Sequence, residues 1–489
     1  MNKNGLVYDV NEKPPFGKNL LFAIQQFLAI IAATLLVPIL SDSTGVYLSQ
    51  SAALIGAGMG TLVYLAFTKF KSPVFLGSSF AFISPLASAV AYGYFGIILG
   101  SVFAALVYVI IAIIVKFVGS DWLNKLMPPV IIGPTVALIG LGLSSSAMSN
   151  LTTSNGGYNL VGILIGIVTF LIVVIASVKG SKTMKLFPFV IGVLGGYILA
   201  TLVTLIGYNA CGSEYCKIID FSIFKNVTNF KNWIPNITFI GAITGKTQAG
   251  DAAATVTSWT DVLSLFVAFA PVALVVFAEH VADHKNISSI IGKDLLKDPG
   301  LHRTLLGDGV GSFVGAAFGG CPNTTYGESI GCVAITGNAS VWTILTTAII
   351  CIVVAFVYPI MVFVETIPTC IVGGICIALY GFIAVSGLRM FKHVDLDNSK
   401  NLFIVAAIFV TGLGGLELTF GKVTITNIAS ALILGIIVNL ILKPAKAEVN
   451  KEVKYDKETE ETMFGTQVVD DKDATSNSEA VAQETEENK

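Results

Sequence analysis

Two carboxylates interrupt hydrophobic sequence in the stretch 271–337. Glu279 follows the apolar run LFVAFAPVALVVFA, and Glu328 lies in the polar, glycine-rich run NTTYGESIG. A carboxylate inside a bilayer costs at least about 2.5–3.5 kcal/mol on insertion scales, so such residues mark solute or ion pathways. Gly and Pro interrupt the second run, as in the broken segments that form substrate sites in carriers. We therefore interpret Glu279 and Glu328 as ligands of a solute.

The chemistry of such a pair favours a neutral ligand that carries N–H donors beside carbonyl acceptors. Carboxylates accept from N–H groups, and backbone N–H groups at the start of a half-helix donate to carbonyls. Hydrogen bonds to charged groups contribute about 1.5–3 kcal/mol each. A nucleobase edge fits this description. Asp283 lies one helical turn after Glu279. It is a candidate, with Glu279 and Glu328, for carrying a coupling proton.

Each of these residues also has a simpler interpretation. Glu279 could reach the aqueous edge at the cytoplasmic end of its helix. Glu328 is favoured at the start of a helix by the helix dipole, even without a function. Asp283 could be a helix-end carboxylate that is hydrated or paired with Lys285. His280 is expected to be an interfacial histidine that faces water.

Composition places these residues in a membrane protein. Of 489 residues, 54% are hydrophobic and only 12% charged, against about 25% charged in soluble domains. Lys and Arg are spread thinly between hydrophobic stretches, which excludes a nucleic-acid-binding surface. The polar start of the chain lacks the apolar core of a cleavable signal. From position 444 onward, six Lys face thirteen Asp and Glu, a net charge of −7, which predicts a disordered acidic tail.

The hydrophobic pattern predicts an all-α polytopic fold with about fourteen transmembrane segments. Lys and Arg concentrate in alternate connections, which places both termini in the cytoplasm of a multi-pass cell-membrane protein. Seven segments on either side of one long loop predict two inverted repeats. The predicted divisions are a cytoplasmic N-terminus (1–17), a first repeat (18–207), an extracellular loop (208–258), a second repeat with the solute site (259–443) and the cytoplasmic tail (444–489).

Segments 3 and 10 are predicted to be broken. The third reads SPVFLGSSFAFISPLASAV and the tenth GGCPNTTYGESIGCVAI, and both open with Pro and Gly among small polar residues. A short extended piece followed by a half-helix fits each segment, and two such half-helices would enclose a small polar cavity near the middle of the membrane. Simple kinking of ordinary helices is the alternative.

Cysteine usage adds one structural hypothesis. Five of the seven cysteines lie in or beside hydrophobic segments, where a buried thiol is ordinary. Cys211 and Cys216 share the long loop and could form a disulfide on an oxidising side of the membrane. Their spacing does not match a paired zinc motif.

Six motifs give the chain a family resemblance from about residue 8 to 443. They are EKPPFGKNLLFAIQQFLAIIAATLLVP, FLGSSFAFISP, AEHVADH, DPGLHR, PNTTYGESIG and IVGGICIALYGFIAVSGLRM. In this order they resemble the uracil-permease branch of the nucleobase–ascorbate transporter family. The resemblance implies fourteen segments in two inverted repeats, divided into a core domain (segments 1–4 and 8–11) and a gate domain (5–7 and 12–14), in a homodimer.

The resemblance also implies a set of substrate-binding residues. The family's two substrate glutamates correspond to Glu279 and Glu328. Further contacts correspond to residues of the first, third, tenth and twelfth segments, namely Ala33, Ser79, Phe80, Tyr326, Gly327 and Tyr380. The implied activity is uracil import in symport with a proton, without a cofactor.

Four positions depart from the family pattern. Gln26 stands where a histidine is frequent, and Asp283 where some relatives have histidine. Ser329 replaces an asparagine, and Gly337 replaces a basic residue. Gln26 and Ser329 keep a purine such as xanthine or hypoxanthine open as the alternative substrate.

Two other classes of protein compete with a carrier. A membrane-embedded enzyme would need clustered acidic metal ligands at a membrane edge. HVDLDN, with Asp395 and Asp397, is the only run of that kind, and we interpret it as an exposed loop and helix cap. An ion channel would favour rings of like residues around a symmetry axis.

Overall fold

A computed structural model describes residues 6–42, 44–119, 121–154, 157–229, 233–247, 250–390, 394–420 and 423–442. The predicted acidic tail lies outside these residues. Helices dominate the described chain. The α-helices are α1 (Phe16–Ser41), α2 (Gln50–Phe67), α3 (Ile83–Val90), α4 (Gly93–Val118), α5 (Asp121–Leu126), α6 (Pro129–Gly142), α7 (Ser144–Thr152), α8 (Leu160–Val178), α9 (Pro188–Val203), α10 (Thr238–Thr244), α11 (Trp259–Ile291), α12 (Leu301–Gly319), α13 (Gly327–Thr336), α14 (Val341–Ala355), α15 (Tyr358–Glu365), α16 (Thr369–Met390), α17 (Ser399–Leu413) and α18 (Asn427–Ile441).

Eight helical stretches of the described chain are long and apolar enough to cross a membrane. They are α1, α2, α4, α6 with α7, α8, α9 extended to Ala210, α11 and α16. Helices α14 and α15, bent by 78° at their junction, supply a ninth if they are one span. The chain is therefore a mostly helical, multi-pass membrane protein. The count of about fourteen segments and their inverted repeat stay predictions.

Short strands replace helix in the two segments predicted to be broken. Strand β1 (Leu76–Ser78) precedes a 3₁₀ turn, Phe80–Phe82, and then α3, while β4 (Asn323–Thr325) precedes α13. The two strands pair antiparallel, with Leu76 opposite Thr325. This confirms the predicted extended pieces. Two further pairs of short strands are antiparallel: β2 (Thr153–Ser154) with β3 (Gly157–Tyr158), and β5 (Leu418–Phe420) with β6 (Val423–Ile425).

A row of glycines lets α2 and α12 approach each other closely beside these strands. A Cβ added to Gly56 would lie 2.4 Å from the carbonyl oxygen of Gly315, and one added to Gly60 would lie 2.6 Å from that of Gly311. Small residues allow such backbone contact between membrane helices, which gain stability there from packing. The amide of Asn323 enters this crossing and donates to the Gly56 carbonyl at 2.9 Å. The crossing thereby anchors β4.

Helix α11 is the longest of the described helices and extends farther than the hydrophobic pattern predicted. Ser258 and Asp261 form a capping box at its start, in which each side chain accepts from the other's backbone N–H. Such a box satisfies backbone donors that have no partner within the helix. The helix ends at Ile291 instead of near residue 284. As a result, Glu279 and Asp283 lie well inside the helix.

The middle segment, residues 208–258, contains short 3₁₀ turns (Glu214–Cys216 and Phe221–Thr228) and α10. Cys211 is exposed and Cys216 half-buried, and both are free thiols. The disulfide considered from the sequence is therefore wrong for this structure. Cys216 packs against the backbone of Gly207, where an added Cβ would lie 2.7 Å from its Sγ. Cys211 instead follows the end of a π-helical turn and faces solvent.

Candidate functional site

Helix α11 carries two of the predicted carboxylates into the middle of the protein. Glu279 and Asp283 are both half-buried. Thr325 of β4 donates its hydroxyl to Asp283 Oδ2 at 2.5 Å, so Asp283 is tied to the strand crossing. The alternative of a helix-end carboxylate paired with Lys285 is wrong, because α11 continues for two more turns and Lys285 is exposed.

Glu328 approaches the same region from the start of α13. Its side chain is half-buried, and its carboxyl group is close enough to those of Glu279 and Asp283 to interact with them electrostatically. Tyr326 occupies the N-cap position of α13 without a capping side-chain hydrogen bond. The first N–H groups of a helix have no partner within it. Gly327 is exposed, and an added Cβ would meet no atom within 4 Å. The start of α13 thus combines donors, a carboxylate and open space.

Phe80 and Tyr380 bring an aromatic pair to this region from distant parts of the chain. Their ring centroids are 6.1 Å apart at 79°, an edge-to-face contact. Phe80 packs against all three large hydrophobic clusters of the protein. Ser79 lies beside it, and its backbone N–H donates to the Pro322 carbonyl at 2.9 Å. Its buried hydroxyl has no hydrogen-bond partner among the described residues.

Tyr326 has a structural role that the sequence did not predict. Its hydroxyl donates to the Ser78 carbonyl at 2.8 Å, and its ring covers Gly77 so closely that an added Cβ would lie 2.3 Å from it. Only glycine fits at that position of β1. Ala33 is buried in α1, which packs against both β1 and α3. The structure therefore brings the segments of all the predicted site residues into one neighbourhood.

Two of the departures from the family pattern contact each other. The Gln26 amide donates to the Ser329 carbonyl at 3.2 Å and also contacts the Ser329 hydroxyl. That hydroxyl accepts from the Phe75 backbone N–H at 3.3 Å. Gln26 thereby links α1 to the start of α13, and Ser329 links α13 to Phe75, the residue before β1. The contact joins residues 303 apart in the chain, so only the fold could reveal it.

The sequence analysis expected the histidines of α11 to face water, but they do not. His280 and His284 are fully buried, and their rings stack 4.0 Å apart. His280 contacts Asp308 of α12, an acidic residue that the sequence reasoning missed. The signal was present, because Asp308 is an acidic residue inside the glycine-rich run GDGVGSFVGAAFG of α12. Its partner could not be inferred from the run itself.

Asp395 and Asp397 lie in an exposed turn, where the Asp397 backbone N–H donates to Asp395 Oδ1 at 3.0 Å. The cap of the following helix is Asn398 and not either aspartate, which corrects that detail. Within the described part of the chain, no group of three or more His, Cys, Asp or Glu side chains could hold a metal ion.

The chain is similar to known proteins over most of its length. Residues 17–420 match the sequence profile of a family described as "Permease family". A "Uracil permease" of Bacillus caldolyticus is 36% identical over 456 residues, 92% of this chain and 97% of that protein. A "Uracil permease" of Bacillus subtilis (strain 168) is 34% identical over 461 residues, 92% of this chain and 98% of that protein. The transmembrane domain of a cyanobacterial bicarbonate transporter, BicA, shares the fold with a TM-score of 0.56 at 15% identity, over 88% of this chain and all of that domain.

Proposed function

Because the chain belongs to the Permease family, and is therefore a membrane transporter and not an enzyme, we propose that it imports uracil by proton symport. The assignment of uracil as the substrate rests on the antiparallel pairing of β1 and β4. This pairing lies where Glu279 and Glu328 meet beside α13, a half-helix without a side-chain cap. Relatives named uracil permeases match over nine-tenths of the chain.

Uracil has two N–H donors and two carbonyl acceptors, so both kinds of site group are used. Glu279 and Glu328 accept from the ring N–H groups, while N–H groups at the starts of α13 and of the Phe80–Phe82 turn donate to the carbonyls. Phe80 and Tyr380 supply apolar faces for the ring. Each hydrogen bond to a carboxylate contributes about 1.5–3 kcal/mol.

The proposed topology has fourteen segments, with a core domain, a gate domain and both termini in the cytoplasm. It is supported by the long apolar helices, the two strand-broken segments, the bent pair α14–α15 and the further helices α12, α17 and α18. Asp283, Glu279 and Glu328 are the proposed proton carriers. The proposed assembly in the cell membrane is a homodimer.

Uptake of radiolabelled uracil into proteoliposomes tests this function. An inward proton gradient should drive accumulation above equilibrium, and an inward sodium gradient of equal size should not. Unlabelled uracil should compete, whereas xanthine and hypoxanthine should not. Accumulation driven by sodium alone would refute proton coupling, and stronger competition by a purine would make that base the substrate.

A further inference from the structure

A further acidic group, Asp308 of α12, is buried next to the candidate site. Its Oδ2 is 2.7 Å from His280 Nδ1, and the two side chains are 1% and 0% exposed. His280 directly follows Glu279 in α11, and Asp308 lies within electrostatic range of Glu279. The proposed function assigns no role to either residue.

The contacts around His280 allow two arrangements of its protons. The Thr304 hydroxyl is 3.0 Å from the Leu301 carbonyl, to which it donates, and 3.0 Å from His280 Nε2. A hydroxyl has a single hydrogen, which can point to the Leu301 carbonyl or to His280 Nε2; when it points to Leu301, Thr304 accepts from the ring. In that arrangement, His280 Nε2 carries a proton.

The contact on the other side of the ring then requires a further proton. If Nε2 carries the only ring proton, Nδ1 presents a lone pair to Asp308 Oδ2 across 2.7 Å. Two facing lone pairs at that distance repel each other. A proton must lie between them, either as an imidazolium beside a carboxylate or as an imidazole beside a carboxylic acid. In both forms the pair has no net charge.

Burial gives an independent reason for this neutral state. An ionised carboxylate away from water is unfavourable unless it is paired and hydrogen-bonded. Among the described residues, His280 forms the ion-pair contact with Asp308, and none donates a hydrogen bond to Asp308 Oδ1. A carboxylate without the second proton would be a buried anion with one oxygen lacking a donor.

His284, one turn along α11, provides the contrast. Its Nδ1 is 2.8 Å from the His280 carbonyl and so carries a proton. Its Nε2 can then accept from the Tyr64 hydroxyl at 2.6 Å, and Ser72 lies 2.7 Å beyond. A neutral ring satisfies every one of these contacts. His284 is as buried as His280, but among the described residues no carboxyl group is its hydrogen-bond partner.

We propose that Asp308 and His280 form a neutral pair that stores one proton beside the substrate carboxylates, and that proton symport requires the pair to release and regain it. The second half rests on the proposed function. Release is balanced by a rotation of Thr304, whose hydroxyl turns from Leu301 to donate to Nε2. One proton leaves, and an imidazole with Nδ1–H remains beside the carboxylate.

The titratable groups around the pair are Glu279, Asp283 and His284 of α11, Tyr64 of α2 and Tyr108 of α4, whose ring centroid is 6.4 Å from that of His280.

The stored proton can be tested without transport. The chain has four histidines, so the full-length protein labelled with ¹⁵N in its histidine rings gives a spectrum simple enough to assign. The signal that disappears in His280→Gln should show a protonated Nε2 at neutral pH, and the signal lost in His284→Gln should show a bare Nε2. A His280 ring with a bare Nε2 and a proton on Nδ1 would overturn the proposal, because the pair would then hold one proton fewer.

The role in symport has its own test with a matched control. Asp308→Asn keeps a donor toward Nδ1 but cannot release a proton, and His280→Gln keeps a donor toward Asp308 without a titratable ring. In proteoliposomes both should exchange internal for external uracil, yet accumulate at least about tenfold less under a proton gradient. Both should also lose the pH dependence of uptake. His284→Gln should accumulate uracil as the unmodified protein does.

Two outcomes would refute this role. Unchanged proton-driven accumulation in Asp308→Asn would show that the pair takes no part in coupling, and loss of uracil binding would show a role in substrate binding instead. If the unmodified protein failed to accumulate uracil, the proposed function would fall, while the ring protonation state would still decide whether the pair stores a proton.

Discussion

Replacing Asp283 by Asn separates a proton relay from a substrate ligand. Asp283 Oδ2 accepts a hydrogen bond from the Thr325 hydroxyl at an oxygen–oxygen distance of 2.5 Å. This distance is typical of a hydroxyl that donates to a charged carboxylate. Asn keeps an oxygen that can accept this hydrogen bond but cannot carry a proton near neutral pH. The bond should weaken from the range of about 1.5–3 kcal/mol to about 0.5–1.5 kcal/mol.

That difference of about 1–1.5 kcal/mol limits the effect on binding. About 1.4 kcal/mol corresponds to a tenfold change in affinity. Asp283→Asn should therefore bind uracil no more than about tenfold more weakly, even if the whole loss is transmitted through β4. Exchange of internal for external uracil should persist. Accumulation under an inward proton gradient should fall strongly, because a relay group has been removed.

Thr325→Val is the matched control. It removes the same hydrogen bond while leaving the Asp283 carboxyl titratable, so it should weaken binding similarly and keep proton-driven accumulation. Both variants are compared by equilibrium binding and by uptake in the same proteoliposomes. Unchanged proton-driven accumulation of uracil in Asp283→Asn would refute the proton-relay role. Loss of uracil binding in that variant would show that Asp283 is a substrate ligand.

Three further predictions follow from the structure. Glu279→Gln or Glu328→Gln should weaken uracil binding by about ten- to a hundredfold, since each replaces a charged acceptor by an amide that is partly a donor; near-normal affinity in radioligand binding would remove that residue from the site. Gly56→Ala should destabilise the protein by about 1–3 kcal/mol in thermal unfolding, because its Cβ would meet backbone at 2.4 Å. Gly381→Ala, where a Cβ meets nothing within 4 Å, should cost little, and equal losses would refute the packing argument. Cys211 and Cys216 should both react with a thiol reagent without prior reduction, and the exposed Cys211 should react faster. Reaction only after a reductant is added would show that the two cysteines form a disulfide.

Local signals in the sequence determined the membrane class and the choice of the candidate site residues. Hydropathy and the low charged fraction depend on composition alone, and Glu279 and Glu328 stand out because charge inside apolar sequence is costly. Pro and Gly likewise predicted where two segments break, since their backbone preferences act within a few residues. The structure has strands at those two places.

Tertiary structure decided which of these residues meet, because their partners lie far away along the chain. Thr325 and Asp283 are 42 residues apart, Asp308 and His280 are 28 apart, and Gln26 lies 303 positions before the serine that it contacts. The interfacial interpretation of His280 failed for this reason. Helical periodicity gives the face on which a side chain lies, but only packing against another helix decides whether that face meets water or a buried carboxyl.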